Sequence, residues 1–119
     1  MKLSVIADDD VVLHVLCEGE ISEEDFIGDA EPMEPFLGSR GGFQRKVMLN
    51  LERATIIYTS GMSWLLRCNK RFNQDGGRLV LHSIPPMVEQ SLKLVRLQLI
   101  LHCAEDEASA RALALKEPK

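Results

Sequence analysis

The residues best suited to chemistry are two adjacent hydroxyls, Thr59 and Ser60, which stand between Tyr58 and Gly61. They lie where an apolar run gives way to a helical pattern, so either side-chain oxygen could accept a hydrogen bond from an unpaired N–H of the first helical turn. An added phosphate would also be tolerated there, because the helix dipole places partial positive charge at the N-terminus. The pair is therefore either a helix cap, which is the commoner role, or an acceptor for phosphorylation.

The histidines do not assemble into a catalytic set by their spacing. His14, His82 and His102 all lie in predicted strands, and no Ser–His–acid or Cys–His combination follows from their positions. We expect His82 and His102 to lie near each other on adjacent strands as structural groups. The sequence thus predicts a protein that is not an enzyme, with no catalytic residue.

The cysteines do not indicate a metal site or a disulfide framework. Cys17, Cys68 and Cys103 are odd in number and never stand in a CxxC spacing. We expect them to pack as small hydrophobic groups, and we predict neither a metal nor any other cofactor.

The segment 46–72 is expected to position the two hydroxyls. Its first part is typical of a strand buried on both faces, followed by a short loop and a second apolar contact at Ile56 and Ile57. From Gly61 onward the apolar residues change to helical spacing, at i, i+3, i+4, i+7 and i+11. The strand residues are Val47, Met48, Leu49 and Leu51, and the helix residues are Gly61, Trp64, Leu65, Cys68 and Phe72.

Length and composition limit the classes of protein to which the chain can belong. The chain has 119 residues, of which 45% are hydrophobic and 27% charged, so we expect one folded domain over 1–119. Its net charge of −4 disfavours a nucleic-acid surface. No apolar run approaches the roughly 18 residues of a membrane span, and we do not expect a signal peptide in the first residues, since three aspartates interrupt the short apolar stretch there. We therefore expect a cytoplasmic protein.

The apolar pattern predicts the order ββα and then βα three times. This order belongs to the α/β class and gives a mixed, mostly parallel sheet of about five strands, with about four helices. Strands at 3–7 and 11–17 should form an antiparallel hairpin, and 21–46 should be the least regular part, with a short helix at 22–29. The later elements are a strand at 78–82, a helix from 85 to about 97, a strand at 99–103 and a helix at 105–115.

Several short motifs occur in one order along the chain. They are Glu18-Gly19-Glu20-Ile21, the strand ending in Asn50-Leu51, the pair Ile56-Ile57, the run Tyr58-Thr59-Ser60-Gly61-Met62, and Gly76-Gly77 before Leu79-Val80-Leu81. As an ordered set they resemble the STAS domain, the fold of the bacterial anti-sigma factor antagonists. The resemblance covers nearly the whole chain, is strongest over 47–115 and is weakest between 21 and 46.

This resemblance implies a phosphorylation site. In the family, the first hydroxyl after an Asp is phosphorylated by the partner anti-sigma factor, which is itself a serine/threonine kinase. The matching residue here is Thr59, with Ser60 as the alternative, whereas Tyr58 stands in place of the Asp and Asn50 in place of an acid in the preceding strand. The unphosphorylated domain binds the anti-sigma factor and frees the sigma factor, and phosphorylation breaks that complex.

The same resemblance implies a docking surface at the start of the central helix. A partner packed on an uncharged Thr59 would have to bury the added phosphate charge. The basic residues Arg67, Lys70, Arg71 and Arg78 form either a solvated face or a contact for an acidic partner. The predicted partner-binding residues are Tyr58, Thr59, Ser60, Gly61, Met62, Ser63 and Arg67.

Three functions are consistent with these observations. The first is an anti-sigma factor antagonist switched by phosphorylation of Thr59, which sequesters an anti-sigma factor and so regulates transcription. The second is a STAS scaffold in a sensory or lipid-transport assembly that is not phosphorylated, which Tyr58 in place of the Asp favours. The third is a small enzyme that uses a strand histidine or cysteine. The identity of the partner and the oligomeric state stay open.

Overall fold

A five-stranded sheet forms the centre of the computed structural model, which describes residues 1–29, 31–38 and 41–116. The strand order follows the chain order, the first pair is antiparallel and the other three pairs are parallel. The predicted mixed, mostly parallel α/β sheet is therefore confirmed. The strands are β1 (Lys2–Asp8), β2 (Val12–Ile21), β3 (Lys46–Ile57), β4 (Arg78–His82) and β5 (His102–Ala104).

Helices connect the parallel strands. The described chain has the α-helices α1 (Glu34–Leu37), α2 (Thr59–Asp75), α3 (Pro86–Leu94) and α4 (Glu107–Leu115). Short 3₁₀ segments lie at Glu23–Asp29, Gly42–Gln44 and Leu97–Leu99. The helix predicted at 22–29 is thus a 3₁₀ segment, and it is kinked because Ile27 is extended and Gly28 has a positive φ of 71°.

Strand β3 is longer than the sequence pattern predicted. We expected a loop between Leu51 and Ile56, but the strand continues without interruption from Lys46 to Ile57. The pairing of β3 with β4 stops at Asn50 and His82. The second half of β3 therefore pairs with β2 alone, as far as Ile21 and Ile57, and the register of this pairing shifts twice. The polar residues 52–53 and 55 are therefore exposed without leaving the strand.

The last strand begins later than predicted. The apolar run 99–103 was expected to be a strand, but Leu99 ends a 3₁₀ turn and the strand covers only His102–Ala104. Helix α3 also ends at Leu94, before the expected position 97, because Arg96 adopts the left-handed conformation with φ 59°. The turn between α3 and β5 consequently exposes Leu99 and Ile100.

The two faces of the sheet are covered by different helices, as the buried apolar run 47–49 of β3 requires. Alternate residues of β3 point to opposite sides, so Val47 and Leu49 belong to the larger core cluster and Met48 to a smaller one. The larger cluster contains the inner residues of α2 and α3, including Trp64 and Phe72. The smaller cluster consists of Val12, Met48, Val80, Ala110 and Ala114, and it places α4 on the opposite face.

Gly61 provides a test of how tightly α2 packs against the sheet. A methyl group added at this glycine would lie 2.6 Å from Ile21 Cγ2 and 2.7 Å from Ile57 Cγ1. We expect Gly61→Ala to lower the free energy of unfolding by about 1–3 kcal/mol, although alanine has a helix propensity advantage of about 1 kcal/mol. Urea denaturation measures this difference.

The matched control is Ser63→Ala, an exposed position in the same helix, which should change the free energy of unfolding by less than about 0.5 kcal/mol. A Gly61→Ala variant as stable as the wild type would contradict the close packing.

Candidate functional site

Helix α2 begins at the end of β3, where the chain turns from strand to helix at one residue. Tyr58 is the N-cap, with an extended backbone at φ −95° and ψ 174°, and its carbonyl accepts a hydrogen bond of 3.1 Å from the Met62 N–H. The Tyr58 N–H donates to the Ile21 carbonyl at the end of β2, at 3.0 Å. The N-terminus of α2 is therefore fixed at the carboxyl ends of two parallel strands.

The predicted capping role of the hydroxyls is wrong. Thr59 is the first residue of α2 and no side chain caps the helix, because Tyr58 occupies the N-cap position. Within the part of the chain that the structure describes, neither Thr59 nor Ser60 has a hydrogen-bond partner for its hydroxyl. The hydroxyls are thus free of a structural bond that phosphorylation would have to break.

The residues predicted to bind a partner differ in accessibility. Thr59, Ser63 and Arg67 are exposed, and Tyr58 is exposed to 46% although it is a large aromatic residue. Ser60 and Met62 are half-buried. Gly61 is buried against β2 and β3, so it brings the helix close to the sheet rather than offering a surface.

The charge around this helix start is low. The first turn of α2 contains no acidic residue. Of the predicted basic group, Arg71 stacks on the Phe43 ring at 4.2 Å, and Arg78 donates to the carbonyls of Leu113 and Lys116. Arg67 and Lys70 are exposed and have no ion-pair partner among the residues described. A new negative charge at position 59 would therefore meet the helix dipole and no acidic side chain within the first turn of α2.

Sequence reasoning missed an apolar depression beside Thr59. A space of about 190 Å³ separates the first turns of α2 from the turn after α3. Its lining is Thr59, Met62, Ser63, Leu66, Val95 and Leu97. The signal for this feature in the sequence was Leu66, which is apolar but falls outside the buried stripe of α2.

Comparison with known proteins decides the family. The family model of the STAS domain matches residues 9–110, most of the chain. The chain belongs to the STAS domain family. Comparison with curated protein sequences gives no match.

Solved structures of anti-sigma factor antagonists share this STAS fold. The protein from Mycobacterium paratuberculosis has a TM-score of 0.75 at 14% identity, covering 97% of this chain and 96% of that one. SpoIIAA in its unphosphorylated form has a TM-score of 0.70 at 15% identity, with coverages of 98% and 100%. The protein from Planctomyces limnophilus has a TM-score of 0.73 at 20% identity, with coverages of 96% and 98%. At these identities the likeness shows the fold alone.

A pair of buried histidines lies on the other face of this STAS domain, under α4. His14 Nε2 and His82 Nε2 are 2.8 Å apart, so the histidine that approaches His82 comes from β2 across β3. His102 lies on the adjacent strand β5, as predicted, but it stands opposite Val80, two positions from His82, and no hydrogen bond joins the two histidines among the described residues. The arrangement depends on the strand order, which the spacing of histidines in the sequence does not reveal.

The two imidazoles belong to a chain of four hydrogen-bonded side chains. His14 Nδ1 lies 2.9 Å from Glu107 Oε1, and His82 Nδ1 lies 2.8 Å from Ser83 Oγ. Every contact is satisfied with both rings neutral when Ser83 donates to His82, His82 to His14 and His14 to Glu107. Burial lowers the pKa of both histidines, and the proximity of His14 lowers that of His82 further.

The surroundings of Ser83 and of two cysteines give no support to the hypothesis of a small enzyme. Ser83 does not line the depression of about 410 Å³ beside it, which is formed by Ile84, Glu89, Cys103, Ala104 and Glu105. Burial raises the pKa of the Cys103 thiol and raises that of Cys17 to about 12, so both stay protonated and unreactive at neutral pH. The histidine chain therefore satisfies buried polar groups in the core.

Two absences hold for the described ranges 1–29, 31–38 and 41–116. No helix there combines the length and the hydrophobicity of a membrane-crossing segment. No group of three or more His, Cys, Asp or Glu residues there could hold a metal ion.

The histidine pair predicts a pH dependence of stability. Because the folded state lowers the pKa of His14 and His82 below 6.5, the unfolded chain binds more protons in mildly acidic solution. The free energy of unfolding should be highest above pH 6.5 and should fall as the pH drops below it. Urea denaturation between pH 8 and pH 5 measures this loss.

The control is the double variant His14→Gln, His82→Gln, which should show a smaller loss over the same pH range. If the free energy of unfolding of the double variant depends on pH as that of the wild type does, the histidine pair is not the source of the pH dependence.

Proposed function

We propose that this STAS domain is an anti-sigma factor antagonist that sequesters an anti-sigma factor in the cytoplasm and so regulates transcription. The observation that carries the proposal is the position of Thr59, which is exposed, is the first residue of α2 and lies beside an apolar depression. The similar structures named as anti-sigma factor antagonists support the partner class. The partner would be an anti-sigma factor with serine/threonine kinase activity, because the switch needs a kinase.

The switch works through the charge of a phosphate on Thr59. Phosphorylation adds about −1.5 to −2 charges and three acceptor oxygens. The helix dipole would stabilise this charge in the free protein by only about 0.3–1 kcal/mol, whereas burying it under a partner without a cation costs several kcal/mol. The unphosphorylated protein would therefore dock, and the phosphorylated protein would be released.

Tyr58 and Met62 would supply the apolar contacts of the docked state. Tyr58 is 46% exposed next to Thr59, and Met62 lines the depression with it. An aromatic residue with a polar end is a common anchor in protein interfaces, and methionine adapts to different partner surfaces. Ser60, which is half-buried and follows Thr59 in the first turn, is the less accessible acceptor.

A second candidate is a STAS scaffold that docks its partner without phosphorylation. Tyr58 favours it, because this residue replaces the acid that precedes the phosphorylated hydroxyl in the family, and the first turn of α2 has no acid of its own. The partner in that case would be a subunit of a sensory or lipid-transport assembly.

The test measures how a cognate anti-sigma kinase phosphorylates and binds variants at positions 59 and 60. Intact mass should show one phosphoryl group on the wild type and on Ser60→Ala, and none on Thr59→Ala. Thr59→Glu should weaken binding by at least about tenfold, or about 1.4 kcal/mol, while Thr59→Ala should bind like the wild type.

Tight binding by Thr59→Glu, or a phosphate on Ser60, would contradict the switch at Thr59. An unmodified protein recovered from cells together with a partner that is not a kinase would favour the scaffold.

A further inference from the structure

A groove runs along the outer face of α2. Its first part is the depression of about 190 Å³ beside Thr59, and its second part is a depression of about 500 Å³ further along the helix, formed with Lys70 and Ile100. The two parts share Leu66 as a lining residue. We call this feature the α2 groove. Its α2 residues are Thr59, Met62, Ser63, Leu66, Asn69, Lys70, Asn73 and Gln74.

The dimensions of the α2 groove match a helix. Its residues on α2 recur every three or four positions, so they form one straight face of the helix. From Thr59 to Gln74 this face is about 22 Å long at the helical rise of 1.5 Å per residue. A partner helix of about four turns would cover it.

The opposite wall of the groove is an exposed apolar turn. Val95 and Ile100, which line the groove, are exposed to 53% and 54%, and Leu94 and Leu99, which lie next to them in the chain, are exposed to 78% and 75%. Arg96, between them, takes the left-handed conformation that turns the chain at this point. Single exposed apolar side chains are ordinary, but four within seven residues beside a groove are typical of an interaction surface.

Unsatisfied polar atoms in the same region point to a ligand. Asn69 is only 5% exposed and lines the larger depression, and its Oδ1 has no hydrogen-bond partner within the described residues. Gln98, in the exposed turn, likewise has a buried Oε1 without a partner in the described chain. Buried amide oxygens in proteins normally accept a hydrogen bond, so a donor from a partner bound in the groove would satisfy Asn69, which lines it.

The charge around the groove selects an acidic partner. Lys70 lines the larger depression, and Arg96 stands between the lining residues Val95 and Leu97. Neither cation has an ion-pair partner in the described ranges, and no carboxylate is among the residues that line the two depressions. This basic rim contrasts with the net charge of −4 of the whole chain.

We propose that the α2 groove binds an amphipathic helix of a partner protein. The apolar stripe of that helix would lie on Leu66, Val95 and Ile100, its carboxylates would face Lys70 and Arg96, and one side-chain N–H or O–H would donate to Asn69 Oδ1. This inference goes beyond the proposed function, because it requires neither phosphorylation of Thr59 nor an anti-sigma factor as the partner.

The experiment titrates two designed helical peptides into the ¹⁵N-labelled protein and follows amide chemical shifts. Both peptides have about 16 residues and a leucine stripe, flanked by glutamates in one and by lysines in the other. We expect the glutamate peptide to shift amides in 59–74 and 95–100 and to bind at least about tenfold more tightly than the lysine peptide.

Variants locate the binding energy. Leu66→Ser should weaken the binding of the glutamate peptide by at least about tenfold. Lys70→Glu should reduce or reverse the difference in affinity between the two peptides. Leu115→Ser removes an exposed leucine from α4 on the opposite face and should leave the affinity unchanged.

Several outcomes would overturn the proposal. They are equal affinity for the two peptides, no shift at millimolar peptide, or shifts confined to another surface. Concentration-dependent shifts of the groove amides without peptide would also overturn it, because a second copy of the chain would then fill the groove.

One variant separates this proposal from the proposed function. If Thr59→Glu binds the glutamate peptide as tightly as the wild type, the groove stands and charge at position 59 does not control it. If the phosphorylation switch operates on an anti-sigma factor but neither peptide binds, the groove proposal alone fails.

Discussion

The structure depends on the close approach of the first turn of α2 to the ends of β2 and β3. Gly61 has no Cβ, and this absence lets the turn rest on Ile21 and Ile57 at distances that any side chain would prevent. The hydrogen bond from the Tyr58 N–H to the Ile21 carbonyl fixes the same point from the backbone. With the helix start held in this way, Thr59 faces solvent whereas Trp64 and Leu65 are buried.

The two faces of the sheet then serve different purposes. The α2 and α3 face contains the larger apolar core, and the outer side of α2 is left free for contact with other molecules. The α4 face contains a small apolar cluster and the buried hydrogen-bonded chain through His14 and His82. The polar network and the candidate docking surface are therefore on opposite sides of the sheet, so a change in one need not disturb the other.

The sequence predicted the parts of the fold that depend on local periodicity. The buried run of β3 and the apolar stripe of α2 were both visible, because burial on one face imposes a period. The loop expected after Leu51 was wrong because β2 continues to pair with this part of the chain. The pairing keeps the polar residues in the strand although their side chains are exposed. The strand expected at 99–103 begins only at His102, because the exposed apolar turn before it has the same composition as a buried strand.

The candidate site was predictable in position but not in detail. The hydroxyls at the start of α2 were found from the sequence, yet their role as a cap was wrong because Tyr58 already occupies the cap position. The α2 groove could not be predicted, because Leu66 and Ile100 are distant in sequence and meet only when the turn after α3 folds against α2. The contact between His14 and His82 escaped prediction for the same reason, since it crosses a third strand.

The most direct measurement of the central claim is the affinity of an anti-sigma factor for this STAS domain before and after enzymatic phosphorylation, determined by calorimetry on one preparation. The account predicts tight binding of the unmodified protein and a loss of at least about 100-fold, near 2.7 kcal/mol, when Thr59 carries phosphate. Treatment with a phosphatase should restore the original affinity. Equal affinities for the two forms would contradict the account, since a charge at the start of α2 would then have no influence on docking.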